Sequence, residues 1–372
     1  MASNSVLDEE WQLLASFLPL DWQELARSEG AIRRERGVTD PDALLRLLFL
    51  HVAAGLSLRQ AVARATILGW PSMSDVALLK RLRSSESWLR ALASKMYWAS
   101  RFGERHPVLP TKRRIRAVDA TTVEEPGATG TDWRVHYSIL LPEVRCDFYE
   151  VTDVTGGESY KRFPVQKGDI ILGDRGYAHR EGVAHVIRAG GDVVVRLNSS
   201  NFPLLGESGR PFELLPHLRR LKGHAQGEWS VLFEVGDERF GARLCAVRKS
   251  KAAAEAAKKR AIHEATRKGK QIRPETLECA EYVFVLATVL KEDLTTIDVL
   301  DLFRVRWQIE LVFKRLKSLL RLGHVPKKNT LSARAWIQAK LLIALIIERL
   351  SSEARFFSPW GFDIRTTAFP LA

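Results

Sequence analysis

Three acidic residues of the chain stand in local sequences that could present a carboxylate for catalysis: Asp119, Asp174 and Glu310. Glu310 is the most informative, because cations recur around it at helical spacing. At about 3.6 residues per turn, one narrow sector of a helix holds Glu310 together with three cations. These cations are Arg306, Lys314 and Lys317. Carboxylate oxygens bind hard metal ions, whereas Arg and Lys bind phosphate. The combination indicates phosphodiester chemistry.

The same segment carries a separate apolar stripe at helical spacing, which predicts that one face of the helix packs on the protein interior. Its members are Leu302, Val305, Ile309, Val312, Leu316 and Leu319. The helix would therefore be held by one face and would present Glu310 and its cations on the other.

The spacing of four residues in this helix resembles a family signature. DDE transposases of the IS4 group, which includes the Tn5 transposase, carry Tyr, two residues, Arg, three residues, Glu, six residues and Lys. This chain keeps every spacing with Phe303, Arg306, Glu310 and Lys317. Phe303 replaces the usual Tyr, so the ring is kept and the hydroxyl is lost.

Two further motifs are similar to those of the family and occur in the required order. The first Asp lies in Ala117-Val-Asp-Ala-Thr-Thr122 and the second in Leu172-Gly-Asp-Arg-Gly-Tyr177. The resemblance extends over about residues 110–345 and implies that Asp119, Asp174 and Glu310 are the catalytic residues and metal ligands. Other carboxylates lie nearby, and only the motifs separate them from the chosen pair. These competitors are Asp147, Asp153, Asp169, Glu124 and Glu125.

The resemblance also implies the architecture: an α/β protein with an RNase H-like catalytic core, interrupted by a mostly β insertion and preceded by an all-α N-terminal DNA-binding domain. We place the helical domain at 1–108, the catalytic domain at 109–345 with its insertion at about 195–292, and a short C-terminal tail at 346–372. Family members use C-terminal sequence for dimer contacts, and little of it follows here.

Residue patterns alone predict an α/β sheet but do not identify its family. Apolar and alternating runs predict strands, and 180–189 predicts a helix. The candidate strands are 114–119, 133–140, 146–151, 169–174, 192–197, 229–235, 240–247 and 281–288.

The N-terminal hundred residues have the start signals of several helices. Asp40-Pro starts one, and Ser57 with Gln60 forms a capping box for the next. The break at Gly69-Trp-Pro-Ser72 is followed by a third, opened by Ser72-Met-Ser-Asp75. Its cations are Lys80, Arg81 and Arg83. Two short helices around such a break fit a helix-turn-helix, and an ordinary helical bundle is the alternative.

The charge of the chain favours a polyanionic partner. Fifty-seven Lys and Arg against 44 Asp and Glu give a formal net charge of +13. Such an excess supports binding to nucleic acid, although basic proteins without such a partner exist. Residues 248–273 hold ten Lys or Arg against two Glu around an Ala-rich helix. This segment is either a DNA-contacting arm or a solvated helix.

Cysteine usage and apolar runs bear on the location of the protein. Three scattered cysteines favour neither a disulfide framework nor a zinc site and suit a reducing compartment. The apolar run at 339–347 is too short to span a bilayer and predicts a buried helix. We expect a bacterial cytoplasmic protein, associated with the nucleoid through DNA.

The resemblance implies a cut-and-paste transposase that binds terminal inverted repeats and target DNA as a homodimer. Its cofactor would be a pair of Mg²⁺ ions, with Mn²⁺ as a substitute. Expected contacts to DNA phosphate are Arg306, Lys317, Lys314, Arg175 and Phe303, and expected base-stacking residues are Phe284 and Tyr282. Two alternatives stay open: an RNase H-like nuclease without strand transfer, and a catalytically impaired or truncated DNA-binding derivative.

Overall fold

A computed structural model describes residues 10–33, 38–71, 73–99, 109–127, 132–197, 201–223, 225–327 and 329–354. Helices come first, then a sheet with helices on both faces. The helices are α1 (10–16), α2 (Trp22–Ser28), α3 (Pro41–Val52), α4 (Leu58–Ile67), α5 (Asp75–Ser84), α6 (Glu86–Ala99), α7 (Arg180–Arg188), α8 (Leu214–Arg219), α9 (Lys251–Arg267), α10 (Pro274–Cys279), α11 (Thr296–Val305), α12 (Trp307–Ser318) and α13 (Thr330–Ala354). The strands are β1 (Ile115–Val123), β2 (Trp133–Leu141), β3 (Arg145–Asp153), β4 (Ile170–Gly173), β5 (Asp192–Arg196), β6 (Gln226–Val235), β7 (Glu238–Arg248) and β8 (Tyr282–Ala287).

All eight strands belong to one mixed sheet in the order β3-β2-β1-β4-β5-β8-β7-β6. Strands β1, β4 and β5 are mutually parallel, whereas β2, β3 and the last three strands pair antiparallel. The expected α/β class is therefore confirmed, and each candidate strand of the sequence lies within or overlaps an observed one. The β-rich segment after β5 is not a separate sheet, because β8 pairs directly with β5 and extends the same sheet.

Successive residues of a strand point to opposite faces of a sheet, and the two faces here cover two apolar cores. One core packs β1, β2 and β3 against the N-terminal helices, α11, α12 and α13. The other packs the opposite face against α7, α8 and the turns that precede them. The face covered by α12 is the one that carries the candidate catalytic residues.

The N-terminal helices share the first core with the sheet. Helix α13 packs against α3, α5 and α6, and Arg349 donates to the carbonyls of Phe17 and Met96 at 2.9 and 3.0 Å. The predicted caps of α3 and α4 are confirmed: Asp40 accepts from two backbone N–H groups, and Ser57 and Gln60 form a capping box. The N-cap of α5 is Ser74, which lies in the segment 72–75 expected to open this helix.

Helix α5 does not present the basic face expected of a recognition helix. Arg81 donates to the carbonyls of Ala31 and Val38, and Arg83 donates to Ser332 at 2.9 Å. Of the three expected cations only Lys80 is exposed. These arginines hold α5 to the rest of the protein, because backbone carbonyls and a hydroxyl lie within their reach.

Helix α13 confirms the predicted buried helix but is longer than the apolar run. Residues Thr330–Ser351 are long and apolar enough to cross a membrane, yet 78% of that stretch is buried inside the protein. The helix therefore serves as a core helix here. The three cysteines are free, as expected.

Candidate active site

The register of the parallel strands brings three charged residues into one row on one face of the sheet. Ala117 of β1 pairs with Leu172 of β4, and Leu172 pairs with Val194 of β5. Continuing this register by two residues places Asp119, Asp174 and Arg196 on the same face. Asp119 and Arg196 lie within β1 and β5, and Asp174 lies one residue past the end of β4. Adjacent strands lie about 4.8 Å apart. The sequence placed Asp119 near a strand end, but β1 continues to Val123, because nine residues pair with β2.

Asp119 lies where an ionised carboxylate is disfavoured. Its side chain is 16% exposed. Burial, and then the charge of Asp174, raise the pKa of Asp119 to about 7, while an N–H from Ala120 and the charge of Arg306 oppose that rise. Two carboxylates this close repel each other, and a bound cation would relieve the repulsion.

Arg306 joins the row to Glu310. Its Nη1 lies 3.7 Å from Oδ2 of Asp119, and its Nη2 donates to Oε1 of Glu310 at 2.7 Å. Arg306 is the junction between α11 and α12, not an interior residue of a single helix as the periodicity predicted. Its Nε and Nη1 are buried and make no hydrogen bond to the described residues. The guanidinium thus keeps N–H groups that could bind a phosphate oxygen.

The turn after β4 explains the glycine in Gly-Asp-Arg-Gly-Tyr. Asp174 accepts the N–H of Gly176 at 2.8 Å. A Cβ at Gly176 would stand 1.9 Å from Oε2 of Glu158 and 3.0 Å from Oδ1 of Asp174. Glu158 is therefore a further carboxylate of the site, and burial and Asp174 raise its pKa. Its loop follows β3 without a recognisable motif, so the sequence offered no signal for it.

The donor set fits a hard divalent cation, since carboxylate oxygens are the ligands that Mg²⁺ prefers. Among the described residues, however, no three His, Cys, Asp or Glu side chains are gathered closely enough to hold one ion. The Arg306 guanidinium lies between Asp119 and Glu310, 3.7 Å from the first carboxylate and 2.7 Å from the second. Binding of metal by all three carboxylates would require this guanidinium to turn away.

Cations continue the row beyond Asp174. We call four residues the basic cluster: Arg175, Arg196, Lys249 and Arg260. They lie close enough for their charges to shift the pKa values of Arg196 and Lys249. Burial and the charges of Arg175 and Arg306 lower the pKa of Arg196. Burial and the charges of Arg196, Arg260 and Arg175 lower the pKa of Lys249 to about 8. The sequence had indicated Arg175 as a phosphate contact and the basic segment 248–273, which holds Lys249 and Arg260, but it had not indicated Arg196 at the end of the run Asp-Val-Val-Val-Arg.

The other residues expected to contact phosphate differ in their exposure and in what surrounds them. Arg175 is exposed beside Asp174, and Phe303 is half-buried with the Arg306 guanidinium 5.7 Å from its ring centre. Lys314 is exposed over the ring of Trp307. Lys317 is exposed two helical turns beyond Glu310. The prediction that the apolar stripe packs on the protein interior is wrong only at its last residue, Leu319, which is 77% exposed.

The expected base-stacking residues are core residues in this structure. Tyr282 and Phe284 are 4% and 5% exposed and pack in the core on the face opposite the carboxylates. Tyr282 and Phe284 point to one face of the sheet, whereas Val285, Asp119 and Asp174 lie on the other. Neither ring is therefore presented to a base beside Asp174. The stacking prediction is wrong for this conformation.

Comparison with known proteins decides the family. The family model described as a transposase DDE domain matches residues 144–346. InsL of insertion sequence element IS186A from Escherichia coli K12 is 33% identical over 361 residues, covering 94% of this chain and 96% of InsL. The transposase for insertion sequence element IS421 of Escherichia coli is equally similar, at 33% over 362 residues. The chain belongs to the DDE transposases.

The membership confirms the expected enzyme class, a transposase acting on DNA. The match to the DDE domain contains Asp174 and Glu310 and begins after Asp119. A DDE domain also implies dependence on a divalent metal ion. The structure of a piggyBac transposase synaptic complex with hairpin DNA aligns with this chain at 10% sequence identity and a TM-score of 0.39. The alignment covers 95% of this chain and 82% of the piggyBac chain.

Proposed function

We propose that this transposase performs cut-and-paste transposition of an insertion sequence, with Asp119, Asp174 and Glu310 as its catalytic carboxylates and metal ligands. The observation that carries the proposal is the row of Asp119 and Asp174 on adjacent parallel strands, joined through Arg306 to Glu310. The strand order β3-β2-β1-β4-β5 supports an RNase H-like core for residues 109–345, with the segment at about 195–292 as its insertion.

The metal ions, Mg²⁺ with Mn²⁺ as a substitute, would activate the attacking oxygen and stabilise the leaving one in an in-line displacement. Asp119 and Asp174 supply oxygens from the sheet, and Glu310 supplies another from α12. Arg306 is positioned to exchange its carboxylate partners for a phosphate oxygen, because two of its nitrogens lack a hydrogen-bond partner among the described residues. Phe303 lies against its guanidinium and orients it.

The basic cluster supplies a route for the DNA backbone away from Asp174. Lys and Arg side chains that contact DNA phosphates displace counterions from the DNA, which favours binding. Arg175, Arg196 and Lys249 lie beside one another at the end of the parallel strands, and Arg260 joins them from α9. This arrangement favours a DNA-contacting role for the basic segment at 248–273 over a merely solvated helix.

The N-terminal helices, residues 1–108, would recognise terminal inverted repeats, and two protomers would pair the two ends. Arg81 and Arg83 of α5 bind groups within the chain. Recognition of DNA through α5 would therefore depend on its exposed residues, of which Lys80 is a cation.

The reaction type can be tested with DNA cut beforehand at the ends of the element, taken from the sequence flanking the gene. With Mg²⁺ and target plasmid, the transposase should join the 3′ ends to the target. Metal-dependent cleavage of uncut ends without joining would favour an RNase H-like nuclease. Binding of the ends with neither reaction would favour an impaired DNA-binding derivative.

A further inference from the structure

A cleft of about 740 Å³ opens between the N-terminal helices and the catalytic core. The loop from α3 to α4 lines one side, and the ends of β1 and α12 together with α13 line the other. The charged and imidazole side chains of its lining are His51, Glu124, Lys317, Arg321, His324 and Lys340. A space of this size holds a small molecule or one nucleotide.

The cleft carries an excess of positive charge. Three basic side chains, Lys317, Arg321 and Lys340, line it against one carboxylate. That carboxylate, Glu124, lies 3.9 Å from Nδ1 of His324 and is 49% exposed. The cations are therefore not neutralised by the lining residues, and the cleft suits an anion.

Lys340 is the feature that ordinary packing does not explain. It is only 5% exposed, yet no described residue forms a salt bridge or hydrogen bond with its ammonium group, which lies 5.0 Å from the ring centre of Trp336. Burial and the charge of Arg321 lower the pKa of Lys340 to about 8. Buried charges in proteins are normally paired, because desolvation is unfavourable without a partner. An anion in the cleft would supply that partner.

His51 adds a second unsatisfied group. It is 6% exposed, and its Nδ1 lies 2.6 Å from the carbonyl oxygen of Leu56, whereas its Nε2 has no partner among the described residues. Buried polar groups nearly always have a hydrogen-bond partner. Burial and the charges of Lys327 and Lys340 lower the pKa of His51. A bound anion would oppose that shift and favour a protonated ring, whose Nε2 donates to an anionic oxygen.

The cleft continues the candidate active site. Lys317 follows Glu310 by seven residues, about 10 Å along α12. Backbone hydrogen bonds of Glu124 to Gly323 and Val325 fasten the loop after α12 to the end of β1, beyond Asp119. Successive nucleotides of one strand are about 3.4 Å apart along the axis of duplex DNA. The cleft therefore lies about 10 Å along α12 from Glu310, a distance that a few nucleotides of one strand span.

We propose that this cleft binds a phosphate group of the DNA strand a few nucleotides from the reacting phosphodiester, with Lys340, Arg321 and Lys317 as its ligands. The inference rests on the proposed function, since it assumes that the reacting bond lies at Asp119, Asp174 and Glu310. It makes the loop before α4 part of DNA binding and couples the N-terminal helices to the position of the strand.

The test uses the full chain and a fluorescent duplex of about 30 base pairs, titrated by anisotropy at several salt concentrations between about 50 and 200 mM. Lys340→Met removes the buried charge and keeps the length of the side chain. Loss of one phosphate contact should lower the affinity about eightfold at about 0.1 M salt and reduce the slope of log affinity against log salt by about one. Lys222→Met, an equal charge change at an exposed lysine beside α8, should alter neither value.

Thermal melting of Lys340→Met should show no loss of stability, because an unpaired buried charge is replaced by an apolar side chain. If this variant fails to fold, the exposed Arg321→Gln tests the same expectation at the rim of the cleft. Affinity and salt slope equal to those of Lys222→Met would overturn the proposal.

Two further outcomes separate this inference from the function on which it rests. If the wild-type chain does not bind the duplex even at low salt, the proposed function fails. If inorganic phosphate raises the melting temperature of the wild-type chain but not of Lys340→Met, and DNA affinity is equal in both, the cleft binds a free anion and the DNA assignment is wrong.

Discussion

Glu348 offers a prediction whose size can be worked out from the structure. It lies near the end of α13 and accepts the backbone N–H of Cys146 at 3.2 Å. Burial raises its pKa to about 7, although that hydrogen bond and the charges of Arg145 and Arg315 act in the opposite direction. The unfolded chain has the ordinary pKa of 4.5. Folding therefore favours the protonated carboxyl group.

The sign of the pH dependence follows from linkage. Because the folded state binds the proton more tightly, Glu348 lowers stability as pH rises from about 4.5 to about 7. Each pH unit between the two pKa values corresponds to about 1.4 kcal/mol, which gives about 3 kcal/mol at pH 8. Glu348→Gln keeps the shape and an accepting oxygen and removes the titration.

Unfolding should be measured at about pH 4.5 and pH 8, at or beyond the two ends of this titration. At the lower pH, we expect Glu348→Gln and the wild-type chain to have the same free energy of unfolding. At the higher pH, the free energy of unfolding of Glu348→Gln should be greater by up to about 3 kcal/mol, or about 4 °C in Tm for a chain of this length. The exposed Glu255→Gln is the matched control and should change little at either pH. An equal difference between Glu348→Gln and wild type at both pH values would refute the reasoning.

Three other substitutions test the site. Phe284→Ala should destabilise the fold by about 3–5 kcal/mol, because the ring is buried. Phe284→Leu should retain DNA cleavage, and a selective loss of cleavage in a stable Leu variant would support a stacking role. Lys249→Met should lower duplex affinity about eightfold at about 0.1 M salt and reduce the salt slope by about one, measured by anisotropy. Arg306→Gln leaves Asp119 and Glu310 without their shared cation, so calcium, as a metal that tests binding alone, should raise its Tm more than that of the wild-type chain. An equal Tm shift in both proteins would contradict this role of Arg306.

The sequence predicted those parts of the fold that depend on local pattern. Alternating and apolar runs located the strands, and Asp40, Ser57 and Gln60 located two helix starts, because a cap is made by neighbours in the chain. Motif spacing also selected Asp119 and Asp174, which the register places side by side.

What the sequence did not predict depends on contacts between distant residues. Helical periodicity treats Arg306 as one more position of a helix, but its contacts to Asp119 and Glu310 occur at the junction of two helices. Phe284 has the same local pattern whether its strand faces a base or a core. Glu158 is brought to Asp174 by the fold alone, from a loop whose sequence carries no catalytic motif.

The most direct test of the central claim is metal-dependent nicking of DNA that carries the ends of the element. Asp119→Ala and Glu310→Ala should both bind this DNA as the wild-type chain does and should lose nicking in Mg²⁺ or Mn²⁺. The exposed turn variant Asp237→Ala should nick normally. Nicking at the wild-type rate by either Asp119→Ala or Glu310→Ala would show that these carboxylates are not the catalytic residues.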